Sequence, residues 1–181
     1  MALENPITRA VQERRSIRKY LPNPVPDDLI EALLKAAVFS PSAMNKEPWR
    51  FILVKDKKKI SELSAAVQST LTHGLVSTTR IDPIFYDAPL LILTVAPKGY
   101  IWGHIDCGIA AQSMFLVAHS LGLGSCFIGF AQQLNQKPEL LKSIGVPDGY
   151  ELVAPLTFGF PNETRPTPER TFQDKVLRRI D

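Results

Sequence analysis

Residues 105–129 read IDCGIAAQSMFLVAHSLGLGSCFIG. Over 105–121 the small and apolar residues run almost all the way round a helical wheel, from Cys107, Ile109 and Ala110 to Met114, Phe115 and Val117. A helix that is apolar on every side is buried on every side. In a chain of 181 residues, the size of one domain, that predicts a central helix, open to being shared with a partner subunit. Gly122 stops it, and Ser125 to Phe130 follows as a strand. Working outward, Leu90 to Val95 is an almost continuous apolar run and reads as a central strand. Trp49 to Val54 reads as a buried strand. Leu152 to Phe158 reads as the last one, with Pro155 putting that end at an edge or a bulge.

Helices fill the intervals. Asn5 caps the first and Pro6 suits its first turn, with Ile7, Ala10, Val11 and Arg14 at helical spacing. Asp27 and Asp28 begin a second helix with the stripe Ile30, Leu33, Leu34 and Ala37, broken by Ser40-Pro41-Ser42. A third carries Ile60, Leu63, Ala66 and Val67 on one face, and a short one spans Glu139 to Ile144. Residues 68–86 show no period and read as a loop or short helical piece. Residues 161–181 form a polar tail with no core of its own, expected to lie against something. Four strands alternating with helices make the class α+β or α/β.

Composition excludes several alternatives. Hydrophobic residues are 45% and charged residues 22%, which is ordinary globular usage. The longest apolar stretch is too short and too interrupted for a membrane span, and the first fifteen residues lack a secretory signal's apolar core. The net charge of +3 weakly favours anionic ligands. Two cysteines, Cys107 and Cys126, fit a cytoplasmic chain with reduced thiols, and the three histidines show no metal-ligand spacing with them. No Gly-x-Gly-x-x-Gly opens a helix after a strand, so a Rossmann site lacks its main signal.

Four clusters carry chemistry. Arg14-Arg15-Ser16-Ile17-Arg18-Lys19 puts three guanidinium forks and a hydroxyl within reach of one phosphate; the alternatives are a solvated basic turn and a nucleic-acid arm. Pro41-Ser42-Ala43-Met44-Asn45, between helix and strand, can present backbone amides to a flat heteroaromatic ring, or be an ordinary turn. Gly122-Leu123-Gly124-Ser125-Cys126-Phe127-Ile128-Gly129 is accounted for at Gly122 and Gly124 as a helix stop and a strand, but Gly129 suits a close approach to a ligand. Arg165 and Arg170 in the tail can return to the first cluster or stay in solvent.

In this order the clusters resemble the nitroreductase family of flavin enzymes. The matching features are Arg-Arg-Ser-Ile-Arg-Lys-Tyr at 14–20, Pro-Ser-Ala-Met-Asn-Lys-Glu-Pro-Trp at 41–49 and Asp-Ala-Pro at 87–89. The helix from Asp106, the glycine-rich segment 122–129 and Gly-Phe-Pro at 159–161 continue the match. The resemblance implies a single α+β domain over 1–181 with a small, mostly antiparallel sheet, and an intertwined homodimer with FMN at the subunit interface. Residues 161–181 would be an arm crossing to the partner. By the same resemblance Arg14, Arg15, Ser16 and Arg18 hold the FMN phosphate and ribityl chain, and Pro41 to Asn45 meet the flavin from the other subunit. Ile128 and Gly129 lie beside the ring, and Arg170, ahead of Arg165, reaches the phosphate.

The implied activity is hydride transfer from NADH or NADPH through flavin to a nitroaromatic, quinone or similar acceptor by a ping-pong mechanism, with no catalytic side chain and no metal. Dehalogenation, flavin fragmentation, dehydrogenation and non-catalytic flavin binding are alternatives on the same fold. Glu47 stands where many members have Gln, and residues 74–86 contain no Asn near the flavin, which leaves the acceptor open.

Overall fold

The computed structural model describes residues 5–71 and 83–180. Asn5 caps α1 (Pro6–Glu13), its side chain accepting from the Ile7 and Thr8 amides while Thr8 answers in a capping box. α2 (Asp27–Val38) buries Ile30, Leu33 and Ala37. β1 (Arg50–Val54), α3 (Lys57–Leu71), β2 (Leu90–Pro97) and α4 (Gly103–Ser120) follow. Next come β3 (Gly124–Phe127), a 3-10 segment at Gly129–Gln136, α5 (Pro138–Ser143) and β4 (Tyr150–Gly159).

The four strands form one sheet in the order β1-β2-β4-β3, and every pair is antiparallel. The α+β reading holds. Side chains alternate across β2: Leu90 and Ile92 enter a core with α2 and α4, while Leu91, Leu93 and Val95 enter a second core with α3 and α5. Two buried faces explain why β2 is apolar at nearly every position.

Three elements differ from the sequence reading. β1 is an edge strand with Leu53 exposed, not a buried one, because only β2 pairs with it. β4 is central rather than an edge, and the bulge that Pro155 left as the alternative is present. The register slips between Thr94 and Val95, leaving Val153 as the extra residue of a bulge two positions before the proline. Gln132 and Asn135 donate side-chain amides to the Val153 and Leu152 carbonyls, and Asn135 accepts from the Leu152 amide, so the disturbed ladder keeps its partners. α4 is central but not buried all round. Asp106, Cys107, Ala110, Met114 and Phe115 face inward, and Ile105 and Ile109 are exposed on the other side, continuing Ile101 and Trp102.

The aperiodic region resolves in part: α3 runs to Leu71, and a turn holds Ile84 and Phe85 in the second core. The rest of that reading, residues 72–82, lies outside the described residues. The tail beyond Pro161 is exposed apart from Glu163 and carries Phe172, Val176, Leu177 and Ile180 outward. No helix among the described residues is long and apolar enough to cross a membrane.

Candidate functional site

Segment 14–20 is laid onto the edge of the sheet. Ser16 forms a parallel bridge with Ser125, the Ile17 amide donates to the Ser125 carbonyl at 3.0 Å, and Tyr20 bridges Pro161. Gly124 makes this approach feasible, since a Cβ there would stand 2.8 Å from Ile17. Gly159 does the same for Tyr20 and Pro89, with a Cβ at 2.6 Å from the proline ring. The sequence account of Gly124 as part of a helix stop is therefore incomplete: it is the floor under the arginine segment. The Tyr20 hydroxyl donates to the Ile17 carbonyl and shares a 2.8 Å bond with Thr157, anchoring the segment from below. Burial pushes that phenol well above its ordinary range, so it stays a donor.

The arginines are ordered but unsatisfied. Arg14 is half-buried, its guanidinium carbon 5.6 Å from the centre of the Phe115 ring on α4. Arg15 donates to the Gln12 and Arg14 carbonyls and, from Nε, to the Pro166 carbonyl of the tail at 3.1 Å. Even so, Arg14 Nε and Arg15 Nη2 are buried with no hydrogen-bond partner. Arg18 lies 6.0 Å over the Tyr86 ring. Burial first, and then Arg15 and Arg170, lower the Arg14 pKa; the guanidinium stays charged, so its lost hydration and the repulsion beside it are both relieved by an anion.

The tail brings two more guanidinium groups. Glu163 accepts from the Arg18 amide at 2.5 Å and pairs with Arg165 at 3.0 Å. Burial alone would raise the Glu163 carboxyl, but Arg165 and the Arg18 amide outweigh it and hold it below the usual range. Arg170 stands near enough to Arg14 to repel it. Among the described residues Arg14, Arg15, Arg18 and Arg170 make no ion pair. Of Arg165 and Arg170, the first is matched by Glu163 and the second makes no ion pair among the described residues.

Cys126 sits under this cluster, 2% exposed. Burial raises its thiol, and the nearby Arg18, Ser16 and Arg14 do not bring it back to the ordinary value. It is a packed thiol, as is Cys107, which burial and then Asp106 push up to about 12. No group of three or more metal-type side chains converges among the described residues.

The second segment is built differently. After Ser42 the chain turns through a short 3-10 piece at Ala43–Asn45, and Met44, Asn45 and, just beyond it, Glu47 have φ of 53°, 52° and 46°. Left-handed backbone costs a non-glycine residue about 1–2 kcal/mol. Side chains hold the turn. The Ala43 amide donates to Asp106 Oδ1 at 3.1 Å, the Tyr100 hydroxyl donates to the Ala43 carbonyl at 3.3 Å, and the Glu47 amide donates to Ser42 Oγ at 2.9 Å. Pro41, Met44 and Asn45 are exposed, and Ser42 and Ala43 half-buried.

The third segment follows β3. Ile128 is buried, its amide donating to the Pro155 carbonyl, while Gly129 is exposed and a Cβ there would meet nothing within 4 Å. Its backbone borders open space, as a ligand-facing glycine requires.

Within one chain, segment 14–18, the tail arginines and the end of β3 come together. The 41–45 loop stands apart. It is anchored at Asp106 in the first turn of α4, whereas Arg14 rests on Phe115, nine residues and roughly 13 Å further along that helix. Three working residues escaped the sequence reading. Glu163 and Tyr100 carried no local signal. Asp106 entered only as the start of a matching helix, although being the one acid of α4 could have marked it.

Comparison with known proteins gives one consistent picture. The model of the nitroreductase family matches residues 11–160. A curated relative, described as a putative NADH dehydrogenase/NAD(P)H nitroreductase of Methanothermobacter thermautotrophicus, is 28% identical over 175 residues, covering 94% of this chain and 85% of its own. Among solved structures, a nitroreductase with bound FMN from Bacteroides fragilis is 27% identical with a TM-score of 0.88, over 98% of this chain and all of that one. Another, with bound FMN from Desulfitobacterium hafniense, is 28% identical with a TM-score of 0.89 over the same shares.

Proposed function

The chain belongs to the nitroreductase family, and on that premise we propose that it is an FMN-dependent oxidoreductase that takes hydride from NADH or NADPH and delivers it to a nitroaromatic, quinone or similar acceptor. The observation that carries this is the pair of buried, partnerless donors, Arg14 Nε and Arg15 Nη2, amid guanidinium groups that lack ion pairs. Buried donors are costly to leave unmade, and a dianionic phosphate satisfies several at once. The residues present fit FMN on that ground.

Arg14, Arg15, Ser16, Arg18 and Arg170 would hold the phosphate and ribityl chain. Ile128 and the open backbone at Gly129 would border the ring. Bound FMN would supply the hydride chemistry. The chain's own tasks are binding, orientation and electrostatics, and no side chain is assigned as nucleophile, acid or base.

The exposed apolar side of α4 and the tail's outward Phe172, Val176, Leu177 and Ile180 support a homodimer whose arm crosses to the partner beyond Arg170, since Glu163, Pro166 and Arg170 lie on their own chain's arginine segment. In that assembly the 41–45 loop, remote from its own arginines, would meet the partner's flavin.

Anaerobic initial rates test the reading. Varying NAD(P)H at several fixed concentrations of a nitroaromatic or quinone should give parallel double-reciprocal lines, since both substrates use one site in succession. Intersecting lines would contradict a ping-pong mechanism, and absence of NAD(P)H oxidation by FMN-loaded protein would leave flavin binding without turnover.

A further inference from the structure

Asp106, near the start of α4, is the one carboxylate in that helix. Asp106 is 2% exposed, and a buried charge is expensive unless its oxygens are used. Only half of it is used within the chain: Oδ1 accepts the Ala43 amide, while Oδ2 is buried without a partner. The residue it grips opens the turn with three left-handed non-glycine residues, of which Met44 and Asn45 follow immediately. Tyr100 grips the same peptide unit from its other side, donating to the Ala43 carbonyl. Partial burial, then the Asp106 carboxylate, raise the Tyr100 hydroxyl above its ordinary range and keep it a donor. A strained turn persists where its surroundings over-determine it, and here the surroundings are these two side chains together with Ser42.

We propose that Asp106 is a positioning residue for hydride transfer: through the Ala43 amide it fixes the arc of the Met44–Asn45 backbone that the partner subunit's flavin meets. The inference rests on the proposed flavin function. Asp106 touches neither flavin nor substrate in this arrangement; it acts through the loop. Core packing would predict a different substitution pattern. A packing residue is judged by volume, so Asp106→Asn, of equal size, would be silent, and Asp106→Ala would lower the melting temperature of the FMN-free protein while the folded fraction kept its kcat. A positioning acceptor is judged by the oxygen facing the Ala43 amide, which Asn keeps and Ala does not.

The test compares Asp106→Asn and Asp106→Ala with the wild-type full-length chain. It measures the melting temperature of FMN-free protein, the FMN dissociation constant by flavin fluorescence, and kcat and KM for NAD(P)H at saturating FMN. The expected result is that Asp106→Ala lowers kcat about tenfold to a hundredfold, the scale set by small misplacement of reacting groups, with KM nearly unchanged and weaker FMN binding. Asp106→Asn should restore both. Wild-type kcat and FMN affinity in Asp106→Ala would overturn the proposal. So would an Asn variant as impaired as the Ala variant, because then charge, not the bond to Ala43, is what matters. If Asp106→Ala does not fold, Tyr100→Phe, which removes the other grip on Ala43, should lower kcat in the same direction, and an unchanged kcat there overturns the proposal. Wild-type protein that takes up no FMN would sink the flavin reading itself and this proposal with it, whereas intact wild-type flavin chemistry with an indifferent Asp106 sinks this proposal alone.

Discussion

The arginine segment and the 41–47 loop face the same proposed ligand and are finished in opposite ways. Around Arg14 and Arg15 the chain leaves buried donors open and packs like charges together. In the loop it closes its bonds on itself, spending Asp106, Tyr100 and Ser42 to hold a backbone that would otherwise relax. The first region is incomplete without an anion. The second is fixed in shape, with Asp106 Oδ2 its one buried polar atom left open. Charge recognition tolerates loosely ordered side chains because the anion organises them, whereas a flat ring is recognised by backbone contour, which has to be fixed beforehand.

That contrast can be broken by substitution. The largest expected effect is from Arg14→Ala, which should weaken FMN binding by about 1.5–3 kcal/mol, the worth of a charged hydrogen bond. It should leave the FMN-free protein as stable as before, since it also removes repulsion among Arg14, Arg15 and Arg170. Fluorescence titration and a thermal melt separate the two, and a loss of stability without a loss of affinity would assign Arg14 to the fold. Gly124→Ala comes next. Its Cβ would collide with Ile17, and overpacking of this kind costs about 1–3 kcal/mol in denaturant unfolding. The arginine segment should lift with it, so FMN binding falls although no ligand-facing atom has changed.

Ser42→Ala is smaller, about 0.5–1.5 kcal/mol for one hydrogen bond to the Glu47 amide. Its effect on FMN binding should be well below that of Arg14→Ala; an equal effect would erase the distinction between the regions. The smallest is a pH effect. The Glu163 carboxyl is held below its ordinary value of 4.5, so its contribution is fully present above that pH and fades as pH falls through the lowered value. Proteolytic cleavage of the tail should therefore quicken below about pH 4.5 in the wild type. In Glu163→Gln it should be quick at neutral pH and change little on acidification.

The sequence revealed the scaffold more fully than the site. The periods of Ile30–Ala37 and Ile60–Val67, the Asn5 cap and the apolar run at Leu90–Val95 are local signals, and each produced its element. The strand at Trp49–Val54 read as buried and is the edge strand β1, because strand order is set by pairing between distant segments, whereas the bulge offered for β4 is present. Pro155 follows a bulge in the middle of the sheet, and its carbonyl accepts from the Ile128 amide just past the end of β3. In the site, the arginines were legible as charges, but their orphaned donors depend on packing against Phe115 and Pro166. Glu163 and Tyr100 gave no local sign of their partners, 145 and 57 residues away in sequence. The all-apolar reading of α4 overlooked that one side of it is unfilled within a single chain.

The central claim is that each site takes its arginines from one chain and its loop from another. Subunit mixing tests it most directly. Arg14→Glu reverses the charge at the phosphate end, and Met44→Pro destroys the loop, because proline cannot adopt a φ of 53°. Each variant alone should bind FMN poorly. When the two are co-expressed with different affinity tags and the doubly tagged species is isolated, the account predicts one restored FMN site per heterodimer, built from the intact arginines of one chain and the intact loop of the other. Heterodimers that bind FMN no better than either parent would contradict it.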